Sequence, residues 1–330
     1  MPYNIRKILL ICVTAVICTA LLPHKAFADT QKPDEKILQP QALNHTGIYA
    51  IRQSDPNLTG SGVKFAVICR SNSYVKGRPQ NDYRPDISHN CFITNKIVFH
   101  DEGVPAAASS PHSTAVCSIL LGSDPAAYNE QLGDLNYEGA APQAKADVYE
   151  FWYFLINNVF PQLPPDSDII TASFGSPFDE WWTRGIESLA DKYGLPVIAS
   201  IGNGLDAYDS ALYPAAGSNV IGVGVVDSVE SPHPSINLTN FALAWPEHSS
   251  CGPTGDSRAK PDIVAAGNCL AADETARDSY EPAGNWSSYS TSVVAGAAGL
   301  LVQKAKQTQG LYSAISPQGG NCVIKAILLN

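Results

Sequence analysis

The chain has 330 residues, 45% of them hydrophobic, with 21 lysines and arginines against 31 aspartates and glutamates. That length buries a substantial core, as one large α/β domain or two smaller ones. The net charge of −10 argues against nucleic acid or an anionic membrane as a partner.

The N-terminus carries Arg6 and Lys7, an apolar run from Ile8 to Leu22, and Ala26-Phe27-Ala28 before Asp29. This is the three-part form of a secretory signal peptide, with cleavage expected after Ala28. The run is short for a membrane span of ~20 residues, and no later stretch is long enough. Residues 1–28 therefore read as a signal peptide, and the mature chain as secreted or periplasmic, with no membrane association after cleavage. Removal of Arg6, Lys7 and Lys25 lowers the basic count from 21 to 18 and leaves all 31 acids, so the mature charge is −13.

Two of the eight cysteines, Cys12 and Cys18, leave with the signal. The other six, Cys69, Cys91, Cys117, Cys251, Cys269 and Cys322, allow about fifteen disulfide connectivities in an exported chain. Cys251 and Cys269 bracket one Gly/Pro-rich segment and read as a pair. No C-x-x-C spacing or His/Cys cluster points to a transition metal.

From Asp29 to about Gln41 the chain is polar, with two prolines, and reads as an unstructured lead-in. Thr59-Gly60-Ser61-Gly62 then marks a turn before Val63–Ile68, a short apolar run that fits a buried parallel strand. Similar runs follow at Ala146–Phe151, Ile169–Ser173, Pro196–Ser200 and Val220–Val226. Helical stretches fall at Thr114–Leu121, Trp181–Tyr193 and Ser288–Gln307. Strands alternating with helices predict an α/β fold whose parallel sheet is covered on both faces. In the last helix, Ala295-Gly296-Ala297-Ala298-Gly299 lacks bulk and predicts close approach of neighbouring elements. No internal repeat divides the chain, so one domain over residues 45–330 is expected after a flexible lead-in at 29–44.

Several polar residues stand at chemically useful places. Ser288 lies where a Gly/Ser-rich loop enters a helix, whose N-terminus offers free N–H groups and a positive dipole end. It reads either as a nucleophile or as one of several N-cap serines. His112 opens a helix, and Asn203 sits in a Gly-Asn-Gly turn that also suits a left-handed asparagine. Ser123–Glu138 supplies Asp124, Asn129, Glu130, Asp134, Asn136 and Glu138 without EF-hand spacing. A solvated acidic loop is the expectation there, and a calcium site the alternative.

Nine segments in one order resemble the subtilisin-like serine peptidases. Val63–Cys69 is similar to that family's first core strand, and Arg84-Pro85-Asp86-Ile87 to its "H-P-D-L". His112-Ser113-Thr114-Ala115-Val116 is similar to "H-G-T-H-V", and Gly139–Ala144 to "G-V-A-P-x-A". Ala172–Gly175 resembles the "S-L-G" strand, Gly202-Asn203 "A-G-N", and Tyr213–Asp227 "Y-P-A…V-I-x-V-G-x-V-D". Cys251–Gly267 resembles "S-G-P-T-x-D-G-R-x-K-P-D-I-x-A-P-G", and Trp286–Gly296 "G-T-S-x-A-x-P-x-V-A-G".

The resemblance implies a three-layer subtilisin-like fold and a serine endopeptidase acting on peptide or protein. It implies Ser288 as nucleophile, His112 as general base and Asn203 as oxyanion donor. Ser173, Phe174 and Gly175 would form the edge that pairs with an extended substrate. No cofactor is implied apart from the calcium that many relatives bind.

Cys69 stands where the family places its orienting aspartate. A neutral thiol accepts hydrogen bonds weakly and gives an imidazolium no charge. Cys69 therefore reads as a buried thiol, as half of a disulfide with Cys117 or Cys91, or as a thiolate stabilised by Arg70 and His112. Ser113 replaces a glycine, Trp286-Ser287 replaces Gly-Thr, and Ser292-Val293 replaces Pro-His. The expected outcome is an attenuated or inactive peptidase, with a non-catalytic peptide-binding or scaffold protein as the alternative. Val323–Asn330 resembles "V-K-A-x-L-x-N-T-A" without its last two residues, so a slightly shortened domain is expected.

Overall fold

The computed structural model describes residues 43, 46–92, 96–103, 106, 108–130, 132–204, 209–226, 248–284, 286–315 and 319–330. The expected signal peptide and nearly all of the lead-in lie outside the described residues.

Seven parallel strands form the central sheet: β1 (Lys64–Cys69), β2 (Ile97–His100), β3 (Lys145–Glu150), β4 (Ile169–Ala172), β5 (Val197–Ser200), β6 (Ile221–Val226) and β7 (Ile263–Ala266). Their order is β7-β6-β5-β4-β1-β3-β2, so β1 is central, in register with Ile169 at Phe65 and with Glu150 at Cys69. The inner strands are buried and largely apolar, as strands covered on both faces are, although β3 also buries Asp147 and Glu150. Five of the seven coincide with the expected runs to within a residue or two. The edge strands β2 and β7 escaped the reading because their burial is only partial and their apolar runs are short.

The helices divide between the two faces. Phe65, Val67 and Cys69 pack beneath α2 (Pro111–Leu121) and α5 (Ser287–Gln307), whereas Ala66 and Ile68 pack beneath the other layer. That layer holds α3 (Phe151–Phe154), which continues as a π-helix over Leu155–Val159, and α4 (Trp181–Tyr193). A short α1 (Ile48–Ser54) and a C-terminal α6 (Gly320–Leu329) complete the described helices that bear on the argument. Period-2 alternation along β1 thus feeds two separate hydrophobic cores.

Close approach is visible where the small residues of α5 predicted it. A Cβ on Gly296 would collide with Ala140, and one on Gly299 would lie 2.6 Å from the Phe65 ring. Gln303, farther along α5, accepts from the N–H groups of Thr59 and Gly60 and donates to Asn57 O. The turn before β1 is thereby tied to the helix that carries Ser288.

The Ser123–Glu138 segment corrects the expectation of a loop. It is a β-hairpin, Ser123–Asn129 paired with Gly133–Glu138. Its polar groups are used internally: Tyr280 donates its hydroxyl to Asp124 at 2.6 Å, Asn129 donates to Tyr280 O, and Glu138 pairs with buried Arg52. Among the described residues no group of three or more His, Cys, Asp or Glu side chains is placed to hold a metal. The donor set proposed for calcium does not converge.

The disulfide expectations are corrected as well. Cys69, Cys91, Cys117, Cys251, Cys269 and Cys322 are all unpaired thiols.

Candidate active site

The site residues gather at the carboxyl ends of the central strands and at two helix N-termini, where α/β sheets place ligands. Cys69 ends β1, Ser173 follows β4, and the Gly202-Asn203 turn follows β5. His112 lies in the first turn of α2 and Ser288 in the first turn of α5. The α2 helix begins three residues earlier than its sequence suggested, because Ser110 caps it by accepting from Ser113 N and Pro111 occupies the first helical position.

At α5 the N-cap residue is Trp286, whose side chain makes no cap hydrogen bond. The cap comes from elsewhere in the fold. Asn203 Oδ1 accepts from Ser287 N at 2.9 Å and from Ser287 Oγ at 2.7 Å. The Asn203 Nδ2 makes no bond to the described residues. The Ser288 N–H belongs to the orphan set of a helix N-terminus.

Ser288 is buried and faces Ser173. Its hydroxyl donates to Ser173 O at 3.3 Å, and Ser173 Oγ donates to Ser288 O at 3.0 Å. This reciprocal pair joins the expected nucleophile to the first residue of the expected substrate edge. Phe174 and Gly175 make no backbone hydrogen bond within the described residues, so their edge is open. Gly175 is needed there, since a Cβ would lie 2.7 Å from Leu212 Cβ and 2.9 Å from Tyr213 O. Beyond it, Ser176 and Tyr213 form an antiparallel bridge that fixes the segment.

His112 borders a groove of about 580 Å3 that also touches Asn72, Asp273, Glu274, Glu281 and Tyr289. The Tyr289 ring lies 6.1 Å away, centroid to centroid. The imidazole makes no hydrogen bond or ion pair with the described residues, and Ser288 bonds elsewhere. Loss of hydration on its inner side pulls its pKa below the ordinary value, although much of the ring surface faces solvent.

Glu150, in register with Cys69 on β3, is buried; its Oε2 accepts from Tyr153 N, its Oε1 has no partner among the described residues, and burial raises its pKa. Other carboxylates near the end of β1 are committed elsewhere. Asp82 accepts from Asn72 N and from Ser73 Oγ, Asp86 accepts from Ser88, and Asp101 takes the Tyr83 hydroxyl and the Arg84 guanidinium. Cys69 is buried and in hydrogen-bond contact with the Ser113 hydroxyl. Burial pushes its thiol pKa up to about 11, and the Ser113 contact offsets only part of that. The thiol is therefore neutral at pH 7, and the thiolate reading of Cys69 is corrected.

Sequence reasoning did not foresee the parts played by Ser113, Ser287 and Tyr289. Each is adjacent to a residue that was singled out, and adjacency was the only available signal. The contacts cross from one element to another.

A model described as the subtilase family matches residues 43–330. Among solved structures, "PatG macrocyclase in complex with peptide" is similar over 83% of this chain and 85% of that one, with 15% identity and a TM-score of 0.58. "Structure of Prenylagaramide maturation protease PagA" is similar over 80% and 82%, with 19% identity and a TM-score of 0.54. At these identities the structural likeness concerns the fold.

Proposed function

The chain belongs to the subtilase family, and on that premise we propose that it is an exported serine endopeptidase with attenuated hydrolysis. Peptide lies along Ser173–Gly175, Ser288 attacks the scissile carbonyl, and His112 takes the serine proton. Asn203 Nδ2 and the Ser288 N–H receive the oxyanion. Cys69 occupies the orienting position without a charge. Export rests on the signal-like N-terminus, and peptide as substrate rests on the family and on the similarity to the PatG macrocyclase in complex with peptide.

The observation that carries this reading is the neutral, buried Cys69 thiol at the end of β1, together with a His112 imidazole that makes no hydrogen bond or ion pair with the described residues. A hydroxyl becomes a useful nucleophile only when a base takes its proton. The base in turn needs a group that fixes its tautomer and stabilises its charged form. Loss of that group alone lowers the rate of serine peptidases, subtilisins among them, by about four orders of magnitude, leaving the oxyanion donors to supply the remainder.

A second reading, a non-catalytic peptide-binding protein, draws on the Ser288 hydroxyl being given to Ser173 O. Fluorophosphonate labelling of Asp29–Asn330 separates the two, with Ser288→Ala and Cys69→Asp alongside. Slow labelling that needs Ser288 and accelerates in Cys69→Asp supports the attenuated peptidase. If folded parent and folded Cys69→Asp both fail to label, the binding protein is the correct reading.

A further inference from the structure

On the layer opposite α2 and α5, six large apolar side chains stand in water. Trp152, Ile156 and Phe160 follow one another at one-turn spacing along α3 and its π-helical continuation, exposed by 42%, 62% and 80%. Leu163 lies just beyond at 55%, and Phe178 and Trp181 at the start of α4 are exposed by 70% and 57%. The two elements form one surface. Gly185 of α4 abuts Val159, Gln162 donates to Gly185 O, and the Phe160 and Trp181 rings meet edge to face at 6.4 Å.

Core packing does not explain these residues, because the inward faces of the same elements are already filled. Phe151, Phe154, Leu155, Trp182 and Ile186 are buried in the second core. The helices are thus apolar on both sides, and the outer side has no described partner.

We propose that this face is a self-association surface on which a second copy of the chain docks. Size is the first argument. With side chains of about 150–250 Å2 each, the six leave roughly 700 Å2 of apolar surface exposed. That exceeds the largest patch of an ordinary monomer, ~300–600 Å2, and approaches the ~800 Å2 that each partner gives to a standard interface.

Charge is the second argument. Residues 151–165 contain no Asp, Glu, Lys, Arg or His, in a chain of net charge −10. A two-fold interface sets the same patch against itself, so an acidic protein associates with its own copy only where like charges are absent. Depletion of charge with enrichment in aromatics is the composition of an interface core. The charged groups at the rim are internally satisfied, with Asp179 paired to Arg184 at 2.9 Å and Glu180 accepting from Ser176 and Trp182. An anionic membrane has nothing to attract it here, since the patch carries no lysine or arginine.

Sedimentation equilibrium of the chain as expressed and purified is the test, with Phe160→Asp and Ile156→Asp alongside. Both positions are exposed, and circular dichroism confirms that each variant keeps the fold. The expected result is a concentration-dependent monomer–dimer equilibrium that each substitution weakens by about tenfold or more. Ile156→Cys in a Cys322→Ser background should also cross-link between copies with a short bis-maleimide. A monomer at concentrations up to about 100 μM would overturn the proposal. So would a dimer indifferent to both substitutions, or a monomer that uses the patch to bind lipid vesicles.

Discussion

Around Ser288, groups from three elements converge: Asn203 after β5 caps the helix through Ser287, Ser173 after β4 bonds Ser288 in both directions, and α5 presents its free N–H groups. Around His112, in the first turn of α2, nothing comparable is assembled. The ring has an aromatic neighbour and a groove, and where a carboxylate would orient it there is a neutral thiol held by Ser113. The two halves of one site thus differ in kind. An oxyanion hole is made largely of backbone dipoles and a positioned amide, so it persists wherever the fold persists. A base relay depends on one ionised side chain, and a single substitution removes it.

The sharpest way to break that contrast is Cys69→Asp. Restoring the charge should accelerate fluorophosphonate labelling of Ser288 by about three to four orders of magnitude; an unchanged rate in folded protein would show that the α2 half is defective beyond its acid. The complementary change, Asn203→Ala in the Cys69→Asp background, should lower the labelling rate by about 10²–10³. A negligible effect would mean that the amide caps α5 and does nothing more.

The scaffold under the intact half can be probed through stability. Gly296→Ala drives a methyl into Ala140 and should cost about 1–3 kcal/mol in urea unfolding. An undiminished midpoint would mean that α5 moves freely against the Gly139–Ala141 turn.

Two pH experiments sharpen the other half. Only neutral imidazole accepts the serine proton, and the His112 pKa lies below the ordinary value. Labelling of the parent should therefore rise with a midpoint below pH ~6.5, and the Cys69→Asp carboxylate should move that limb to higher pH. An unmoved limb would place the new charge out of reach of the ring.

Stability at alkaline pH follows from burial of the thiols. Cys69 and Cys269 are pushed up to about 11 and about 12, and Cys91 and Cys117 are also raised. Well below pH ~8.5 folded and unfolded chains both hold these protons, and the stability is fully present. As pH rises toward the folded values the unfolded chain releases them first, so stability is lost, by at most ~1.4 kcal/mol per unit for each thiol. Lys260, lowered to about 8 by burial despite its pairing with Asp262, acts in the opposite direction, as one group against four. Melting temperature should fall between pH 9 and 11, and a flat profile would argue against buried thiols.

Local pattern determined much of this protein. Largely apolar runs gave the inner strands, since a strand buried on both faces has little other composition to offer. The Ala/Gly run of α5 gave the close helix packing, and segment order gave the family. The absence of an aspartate at Cys69 was equally plain, because register is pinned on both sides of it.

Tertiary structure alone decided the rest. The hairpin at Ser123–Glu138 was hidden because its acids are satisfied by Tyr280 and Arg52, each more than eighty residues away from its partner in the chain. Asn203 capping α5, the Ser173–Ser288 pair and the Ser113–Cys69 contact likewise join residues brought together only by folding. The outer face of α3 and α4 belongs with these. Trp152, Ile156 and Phe160 look like core in the sequence, and only the packed structure shows that the core is already full and that these side chains face water. Hydrophobicity is a property of the residue, whereas burial is a property of the fold.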